Sequence, residues 1–301
     1  MSKRRPPMLP KRKTIPVGTD EDRNFDDLAH RFKRNVYDHL KGDIRLAVLQ
    51  RDLRRHLSSN IGFGEKPQGR NTESFTLHDG DPATDTRREL NILDAGGGQG
   101  QFSLSLAAQG HRLTICDISG EMLSLAKKNA EQLGVTERVT FIHGPIQSYC
   151  EAHQQQFDLV LCHAVLEWVV EPQALLQVLV GSLKEQGYLS LTYYNVNSIK
   201  MKNLLRTNFK KVLDDDYQGY RGSLTPTFPR APEEVGEWFS SLPLERLCES
   251  GIRCFHDYIL EPDHRLVEPD QQLALELRLS SQEPWRSLAR YIHVLSKRSL
   301  A

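Results

Sequence analysis

The feature that most constrains this chain is a run of glycines that follows a short apolar segment. Ile92-Leu93-Asp94-Ala95 leads into Gly96-Gly97-Gly98-Gln99-Gly100, which has the pattern D-x-G-x-G-x-G. A strand that enters a helix through such a loop lets a ligand approach the backbone closely, because glycine has no Cβ. The third glycine of the dinucleotide fingerprint G-x-G-x-x-G is replaced by Gln101, and no P-loop pattern is present. The loop therefore favours neither an NAD site nor a P-loop ATPase.

The chain beyond residue 90 alternates between apolar runs and amphipathic segments. This alternation predicts an α/β fold with a parallel sheet and helices on both faces. The predicted strands are 91–94, 113–117, 139–143, 157–163 and 188–194. The predicted helices between them are 101–109, 120–133 with its cap at Ser119, and 172–183. Further helices are predicted at 233–241 and 270–281, and further strands at 252–260 and 291–296. We expect these last strands to complete the sheet in antiparallel orientation.

Four parts of the chain differ in texture. We predict a disordered basic tail (1–20), N-terminal helices with a turn at 35–42 (21–57), a flexible insertion loop (58–89), and a core with substrate-side insertions at about 195–250, one of them a candidate lid (90–301). The first thirteen residues carry six basic side chains and no acid. Such a tail either touches a polyanion or is simply solvated, and the second is the commoner case.

Composition narrows the class of protein further. Lys and Arg total 39, Asp and Glu total 39, and no apolar run is long enough to span a membrane. A secretory signal has an apolar stretch after its charged start, and this sequence has none there. The five cysteines form no C-x-x-C pair, which argues against a disulfide framework and a zinc site. We therefore predict a cytoplasmic protein without a membrane span or a metal.

Two acidic residues flank the glycine loop. Asp117 ends the next predicted strand, 17 residues beyond Gly100, where a carboxylate can accept both ribose hydroxyls of an adenosyl group. Asp94, just before the loop, has two roles that stay open: it either accepts hydrogen bonds from loop amides or lies near the amino group of a ligand.

Several longer strings accompany the loop. They are D-R-N-F-D-D at 22–27, K-G-D-I-R at 41–45, L-D-A-G-G-G at 93–98, C-H-A-V-L-E-W-V at 162–169, Y-Y-N at 193–195, F-P-R at 228–230, C-F-H-D-Y at 254–258 and R-Y-I-H-V at 290–294. Over about residues 21–297 the chain resembles the bacterial tRNA 5-carboxymethoxyuridine methyltransferases, class I enzymes that use S-adenosylmethionine (SAM). The resemblance implies a Rossmann-like sheet and methylation of a modified uridine's carboxylate at the tRNA wobble position.

The resemblance also implies a set of SAM contacts. They are Arg45, Gly96, Gly97, Asp117, Ile146, Gln147 and His163. The planar guanidinium of Arg45 suits the methionyl carboxylate, and Ile146 and Gln147 suit the adenine. His163 closes the fourth strand beside the expected transfer centre, although a lone histidine is more often structural. No general base is expected, because the acceptor carboxylate is already ionised.

On the substrate side, the implied partner is the tRNA anticodon stem-loop. A basic segment either straddles phosphates or forms a solvated helix, and it comprises Lys200, Lys202, Arg206, Lys210 and Lys211. Tyr193, Tyr194 and Trp168 either stack on a splayed base or lie in the core, and for Trp168 the core interpretation is favoured. Arg230 and Arg290 are candidate anchors for the substrate carboxylate.

Two other functions compete with tRNA methylation. One is a SAM-dependent O-methyltransferase that acts on a small molecule such as a quinone precursor, which predicts no affinity for tRNA. The other is a SAM-binding protein without turnover, against which the intact loop, Asp117 and His163 argue. The sequence does not indicate an oligomeric state.

Overall fold

The computed structural model describes residues 22–26, 40–57, 88–217 and 225–300. The predicted tail at 1–20 and nearly all of the predicted insertion at 58–89 lie outside these ranges.

A single mixed sheet forms the centre of the described structure. It has seven strands in the order β3-β2-β1-β4-β5-β7-β6. In chain order they are β1 (Asn91–Ala95), β2 (Arg112–Asp117), β3 (Val139–His143), β4 (Phe157–His163), β5 (Leu183–Tyr194), β6 (Leu244–Ile252) and β7 (Tyr291–Arg298). The first five are parallel, whereas β7 runs antiparallel to β5 and to β6. The predicted parallel sheet with an antiparallel finish is confirmed.

Helices cover both faces of the sheet, as predicted. The described α-helices are α1 (Leu40–Leu57), α2 (Ser103–Ala107), α3 (Gly120–Gln132), α4 (Ile146–Ala152), α5 (Pro172–Ser182), α6 (Val196–Leu205), α7 (Phe209–Leu213), α8 (Pro232–Ser240), α9 (Pro269–Leu279) and α10 (Trp285–Leu288). One buried cluster joins α1, α2 and α3 to one face, and a second joins α4, α5 and α8 to the other. Adjacent β1 residues belong to different clusters, Ile92 to the first and Leu93 to the second, because strand side chains alternate.

The strand order determines where a ligand can enter. β1 lies between β2 and β4, so the connections that leave β1 and β4 turn to opposite sides of the sheet. Such a switch point leaves a crevice at the carboxyl ends of the strands. The glycine loop after β1 and His163 at the end of β4 both lie at this edge.

Helix α1 begins earlier than the sequence pattern suggests. The predicted turn at 35–42 ends inside α1, which includes Lys41 and Gly42, and that part of the prediction is wrong. Ile44 and Val48, one turn apart, are fully buried in the core. Packing of this apolar face stabilises the first turn more than a glycine weakens it, since tertiary contacts dominate helix stability.

The predicted strand at 252–260 is also wrong. The edge strand β6 instead spans Leu244–Ile252, so the last part of the range predicted as an insertion belongs to the sheet. Beyond it, the backbone N–H groups of Cys254, Phe255 and His256 donate to the carboxyl group of Glu276, at 2.6, 3.1 and 2.9 Å. Donors that converge on one side chain cannot form a strand ladder, so the chain turns here.

The turn depends on Glu276, and this yields a prediction. We expect Glu276→Gln to lower the free energy of unfolding by about 1–3 kcal/mol, because one acceptor oxygen becomes an NH2 group facing a buried donor. Urea unfolding measures the change. Glu245→Gln, on the exposed edge of β6, is the matched control and should change stability by less than about 0.5 kcal/mol. Equal stability of the two variants would contradict the dependence of the turn on Glu276.

Candidate functional site

A pocket lies at the carboxyl ends of β1, β2 and β4. It contains every residue for which the resemblance implies a SAM contact: Arg45, Gly96, Gly97, Asp117, Ile146, Gln147 and His163. They come from α1, the glycine loop, the end of β2, the start of α4 and the end of β4. The fold thus brings residues that are far apart in sequence to the walls of one cavity.

The glycine loop passes through a space that admits no side chain. Gly96 has a φ of +71°, and a Cβ there would lie 2.6 Å from Val165 Cγ2. At Gly97 a Cβ would lie 2.5 Å from the Asp94 carboxyl and 2.9 Å from Ile115 Cγ2. Glycine is required at both positions, and the bare backbone forms one wall of the pocket.

Asp117 connects the loop to the next helix. Its Oδ2 accepts from the Gly98 N–H and its Oδ1 from the Ser119 N–H, each at 2.8 Å. Burial raises the pKa of this carboxyl, and the two N–H donors act against that rise. Each carboxylate oxygen can accept a second hydrogen bond, so Asp117 can hold the loop and still bind two ligand hydroxyls.

Asp94 is more deeply buried and has a structural partner. Its Oδ2 accepts a 2.5 Å hydrogen bond from Ser103 Oγ at the start of α2. Burial, with the nearby charge of Asp117, raises the pKa of Asp94 to about 6, against the effects of Ser103 and Arg45. Asp94 also lines the pocket. Its hydrogen-bond partner is a helix hydroxyl rather than a loop amide, and a contact with the amino group of a ligand stays a prediction.

The N-terminal segment 22–26 crosses the pocket edge, and sequence reasoning assigned it no site role. Asp22 accepts from the Val170 N–H at 2.9 Å and from Gln147 Nε2 at 3.1 Å. Asp26 accepts from Ser119 Oγ at 2.6 Å. Asp22, Arg23 and Phe25 are pocket residues. The string D-R-N-F-D was the available sequence signal for this segment. It has no helix or strand periodicity, so its position at the pocket could not be predicted.

Trp168 differs from the favoured interpretation. It is half-buried and lines the pocket, and its ring contacts Phe25 edge to face at 4.8 Å between centroids. Trp168 therefore joins the N-terminal segment to the loop after β4 and presents an aromatic surface to the cavity. Tyr193, by contrast, is fully buried in the core, so it is not available to stack on a base.

His163 contributes a neutral ring to the pocket. Its Nε2 lies 2.9 Å from Ser190 Oγ on β5, and its ring lies 5.6 Å from that of Phe102. Burial, followed by the charge of Arg45, holds the pKa of His163 well below its usual value. The imidazole is therefore uncharged at neutral pH.

Arg230 supports the loop after β4. It donates from Nε and Nη2 to the Leu166 carbonyl, at 3.0 and 2.8 Å, and from Nη2 to the Val169 carbonyl at 3.0 Å. The side chain is buried. The geometry does not favour the predicted role of Arg230 as an anchor for a substrate carboxylate, because Nε and Nη2 serve buried carbonyl groups that need partners. Arg230 is a structural residue of the H-A-V-L-E-W loop.

The other predicted substrate residues lie outside this pocket. Tyr194 is buried and accepts a short hydrogen bond from Arg290 Nη1. Lys202 is half-buried on α6. The remaining basic residues are exposed or half-exposed and belong to α6, α7 and the link between them: Lys200, Arg206, Lys210 and Lys211. Lys200 lies 3.7 Å from Asp215, and Lys210 pairs with Asp214.

Two further findings concern only the described residues. There, no group of three or more His, Cys, Asp or Glu side chains could hold a metal ion. In the same part of the chain, no helix combines the length and apolar character that crossing a membrane requires.

Comparison with known proteins identifies the family. The family described as "Methyltransferase domain" matches residues 86–232. The tRNA 5-carboxymethoxyuridine methyltransferase of Escherichia coli (strain K12) is 37% identical over 278 residues, which cover 92% of this chain and 97% of that protein. The chain belongs to the tRNA 5-carboxymethoxyuridine methyltransferase family. The resemblance predicted from the sequence strings is thereby confirmed.

More distant likenesses agree on the fold. The ubiquinone biosynthesis O-methyltransferase of Actinobacillus pleuropneumoniae serotype 7 is 34% identical, but only over 35% of this chain and 45% of that protein. The structure of magnesium protoporphyrin IX methyltransferase from Synechocystis PCC 6803 superposes with a TM-score of 0.54 and 15% identity. The match covers 91% of this chain and 96% of the chain of that enzyme. The plantazolicin methyltransferase structure has a TM-score of 0.51 and 16% identity, covering 91% and 90%. The predicted methyltransferase fold is confirmed, and the family is distinguished from the quinone enzymes by full-length similarity.

The close approach at the glycine loop gives a second prediction. We expect Gly97→Ala to lower the free energy of unfolding by about 1–3 kcal/mol, because the new methyl group overlaps Asp94 and Ile115. Chemical denaturation measures the change. Gly144→Ala, where a Cβ would meet no atom within 4 Å, is the matched control and should be nearly neutral. A Gly97→Ala protein as stable as this control would show that the loop is not tightly packed.

Proposed function

We propose that this protein transfers a methyl group from SAM to the carboxylate of 5-carboxymethoxyuridine in the anticodon stem-loop of tRNA, giving the methyl ester. The observation that carries the proposal is the similarity to the E. coli enzyme over 97% of that enzyme's length. The seven pocket residues implied by the family resemblance support it. A tRNA substrate supports a cytoplasmic location for the reaction.

The pocket residues fit SAM in shape and chemistry. The bare backbone at Gly96 and Gly97 leaves room for close approach, and Asp117 has spare lone pairs for two ribose hydroxyls. Ile146 offers an apolar contact for adenine, while Arg45 suits the methionyl carboxylate. When bound, SAM supplies a methyl carbon made electrophilic by its sulfonium sulfur.

The protein's own task is positioning rather than proton transfer. A carboxylate acceptor is ionised at neutral pH, so no side chain has to remove a proton from it. The neutral ring of His163 agrees with this, because the transfer requires no proton from the imidazole. The residues have to align the acceptor with the methyl group and exclude water. The contact between Phe25 and Trp168 provides an apolar boundary at this edge.

A cluster of cations provides the substrate side of the site. At its centre is Asp257, whose Oδ2 lies 3.0 Å from both Arg253 Nε and Arg290 Nε. Lys41 on α1 and Lys202 on α6 add two half-buried ammonium groups. Among the described residues neither lysine forms an ion pair, so the positive charge of this cation cluster exceeds the charge of Asp257. Buried excess charge favours binding of an anion.

The cation cluster adjoins the SAM pocket through one aromatic ring. Tyr291 lies under two guanidinium groups, with Arg45 at 5.6 Å and Arg253 at 5.4 Å from its centroid. Arg45 lines the pocket, while Arg253 belongs to the cation cluster. We therefore assign the carboxylate of the modified uridine, or the phosphate next to it, to Lys202 and Arg290.

Helices α6 and α7 form the proposed RNA surface. Arg206, Lys210 and Lys211 are exposed, and Phe209 between them is 56% exposed. An exposed aromatic ring among basic side chains is typical of surfaces that bind single-stranded RNA, where bases stack and phosphates pair with cations. In this proposal α6 and α7 contact the stem-loop beyond the modified base.

The proposed function predicts a specific transfer product. Purified protein with SAM labelled in its methyl group should label tRNA that carries 5-carboxymethoxyuridine, and mild alkali should release the label, because esters hydrolyse readily. Transfer RNA without the carboxymethoxy group should stay unlabelled. Asp117→Ala should abolish labelling by weakening SAM binding. Label that appears in a small quinone precursor and not in tRNA would favour the alternative function.

The position of Lys202 in the cation cluster leads us to predict that kcat/KM for tRNA depends on pH. Burial, with the charge of Arg290, lowers the pKa of Lys202 to about 8, so the ammonium is present below pH 8 and lost above it. We expect kcat/KM for tRNA to fall by up to about tenfold per pH unit above pH 8. Lys202→Arg should remove this decline, because arginine stays charged. The exposed control Lys211→Arg should retain it, and identical profiles for the two variants would exclude Lys202 from the substrate site.

A further inference from the structure

A chain of buried hydrogen bonds runs from α1 through the sheet to the pocket. Asp52 Oδ2 lies 2.8 Å from His293 Nδ1 on β7. His293 Nε2 lies 2.9 Å from Ser190 Oγ on β5, and the same oxygen lies 2.9 Å from His163 Nε2. Asp52, Ser190 and His293 are at most 2% exposed. We call these four residues the relay. Only its last member, His163, lines the pocket.

Arg51 fixes the outer end of the relay. Its Nε and Nη2 donate to Asp52 Oδ1 at 2.9 and 2.7 Å, which leaves Oδ2 for His293. Arg51 also donates to Ser250 Oγ at 2.8 Å and to the Leu277 carbonyl at 2.7 Å. Burial raises the pKa of Asp52, but His293 and Arg51 outweigh it and hold that pKa at about 2. Asp52 is therefore an acceptor only.

Donor and acceptor roles follow from this fixed end. His293 Nδ1 must carry a proton in order to donate to Asp52. A second proton on His293 would add a buried cation beside an Arg51–Asp52 pair that is already balanced, which is costly. With a bare Nε2, His293 accepts from the Ser190 hydroxyl, and Ser190 Oγ accepts from His163 Nε2. The remaining nitrogen of His163, Nδ1, then carries a lone pair.

We propose that Asp52, His293 and Ser190 are positioning residues that hold His163 in the Nε2–H tautomer, so that Nδ1 accepts a hydrogen bond from the α-ammonium group of SAM. The inference rests on the proposed function for the presence of SAM. Two observations connect them: Arg45, suited to the methionyl carboxylate, lines the same pocket as His163, and the α-ammonium is bonded to the same carbon as that carboxylate. In the Nδ1–H tautomer of His163, the ring N–H would face an N–H of the α-ammonium group, and no hydrogen bond could form.

One substitution reverses the relay without removing a side chain. In Asp52→Asn, Arg51 retains the amide oxygen as its acceptor, so the NH2 group faces His293 Nδ1. His293 must then carry its proton on Nε2 and donate to Ser190, whose hydroxyl donates to His163 Nε2. We expect His163 to become the Nδ1–H tautomer and SAM to bind about tenfold or more weakly.

The experiment uses the full-length protein with 15N-labelled histidine. NMR of the SAM-free protein reports which nitrogen of His163 carries the proton, and calorimetry reports the Kd for SAM. Wild type should show Nε2–H, and Asp52→Asn should show Nδ1–H. Ser190→Ala should give mixed tautomers and an intermediate loss of SAM affinity. Thr192→Val, which deletes a buried hydroxyl that has no partner among the described residues, is the control and should change neither quantity.

The outcomes separate this inference from the proposed function. Wild-type protein that fails to bind SAM would overturn the proposed function. Wild type that binds SAM while folded Asp52→Asn keeps both the Nε2–H tautomer and an affinity within about twofold would overturn the relay. If Asp52→Asn does not fold, Ser190→Ala decides: an unchanged tautomer and affinity there reject the inference, and a mixed tautomer with weaker binding supports it.

Discussion

The structure depends on the contact between the glycine loop and the ends of the strands around it. At Gly97 the backbone passes so close to Asp94 and Ile115 that no Cβ fits. That closeness leaves the Gly98 N–H facing Asp117, which couples the end of β1 to the end of β2. A loop with side chains would be displaced from this position and would fill the crevice that the order of β2, β1 and β4 creates. The pocket exists because the backbone occupies so little space there.

Charge is distributed unevenly around that pocket. Two carboxyl groups, Asp94 and Asp117, lie beside the glycine loop, whereas Arg253, Arg290 and Lys202 belong to the cation cluster, which Arg253 joins to the ring of Tyr291. In the proposed reaction a cationic donor lies beside the carboxyl groups, and an anionic acceptor lies beside the cations. The two charges cancel when the methyl group is transferred, so a pocket with little water favours the reaction. The relay adds control over one ring in this setting, since it determines whether His163 presents a donor or an acceptor.

Much of the fold was predictable because buried parallel strands are continuous apolar runs. β2, β3 and β4 agree with their predicted bounds to within one residue. β6 was missed because L-E-R-L-C-E at an edge mixes charged and apolar residues. Residues 253–260 were wrongly predicted to be a strand, because the N–H groups of residues 254–256 donate to Glu276, which is distant in sequence. The glycine loop and Asp117 have local signals, so these walls of the pocket were predictable. The relay was not, because Asp52 and His293 are 241 residues apart and no local pattern links them.

The most direct test of the account is mass spectrometry of tRNA nucleosides from a strain that lacks this gene. We predict that 5-carboxymethoxyuridine accumulates, that its methyl ester disappears, and that the wild-type gene restores the ester while the Asp117→Ala gene does not. An unchanged nucleoside profile in the deletion strain would contradict the proposed substrate.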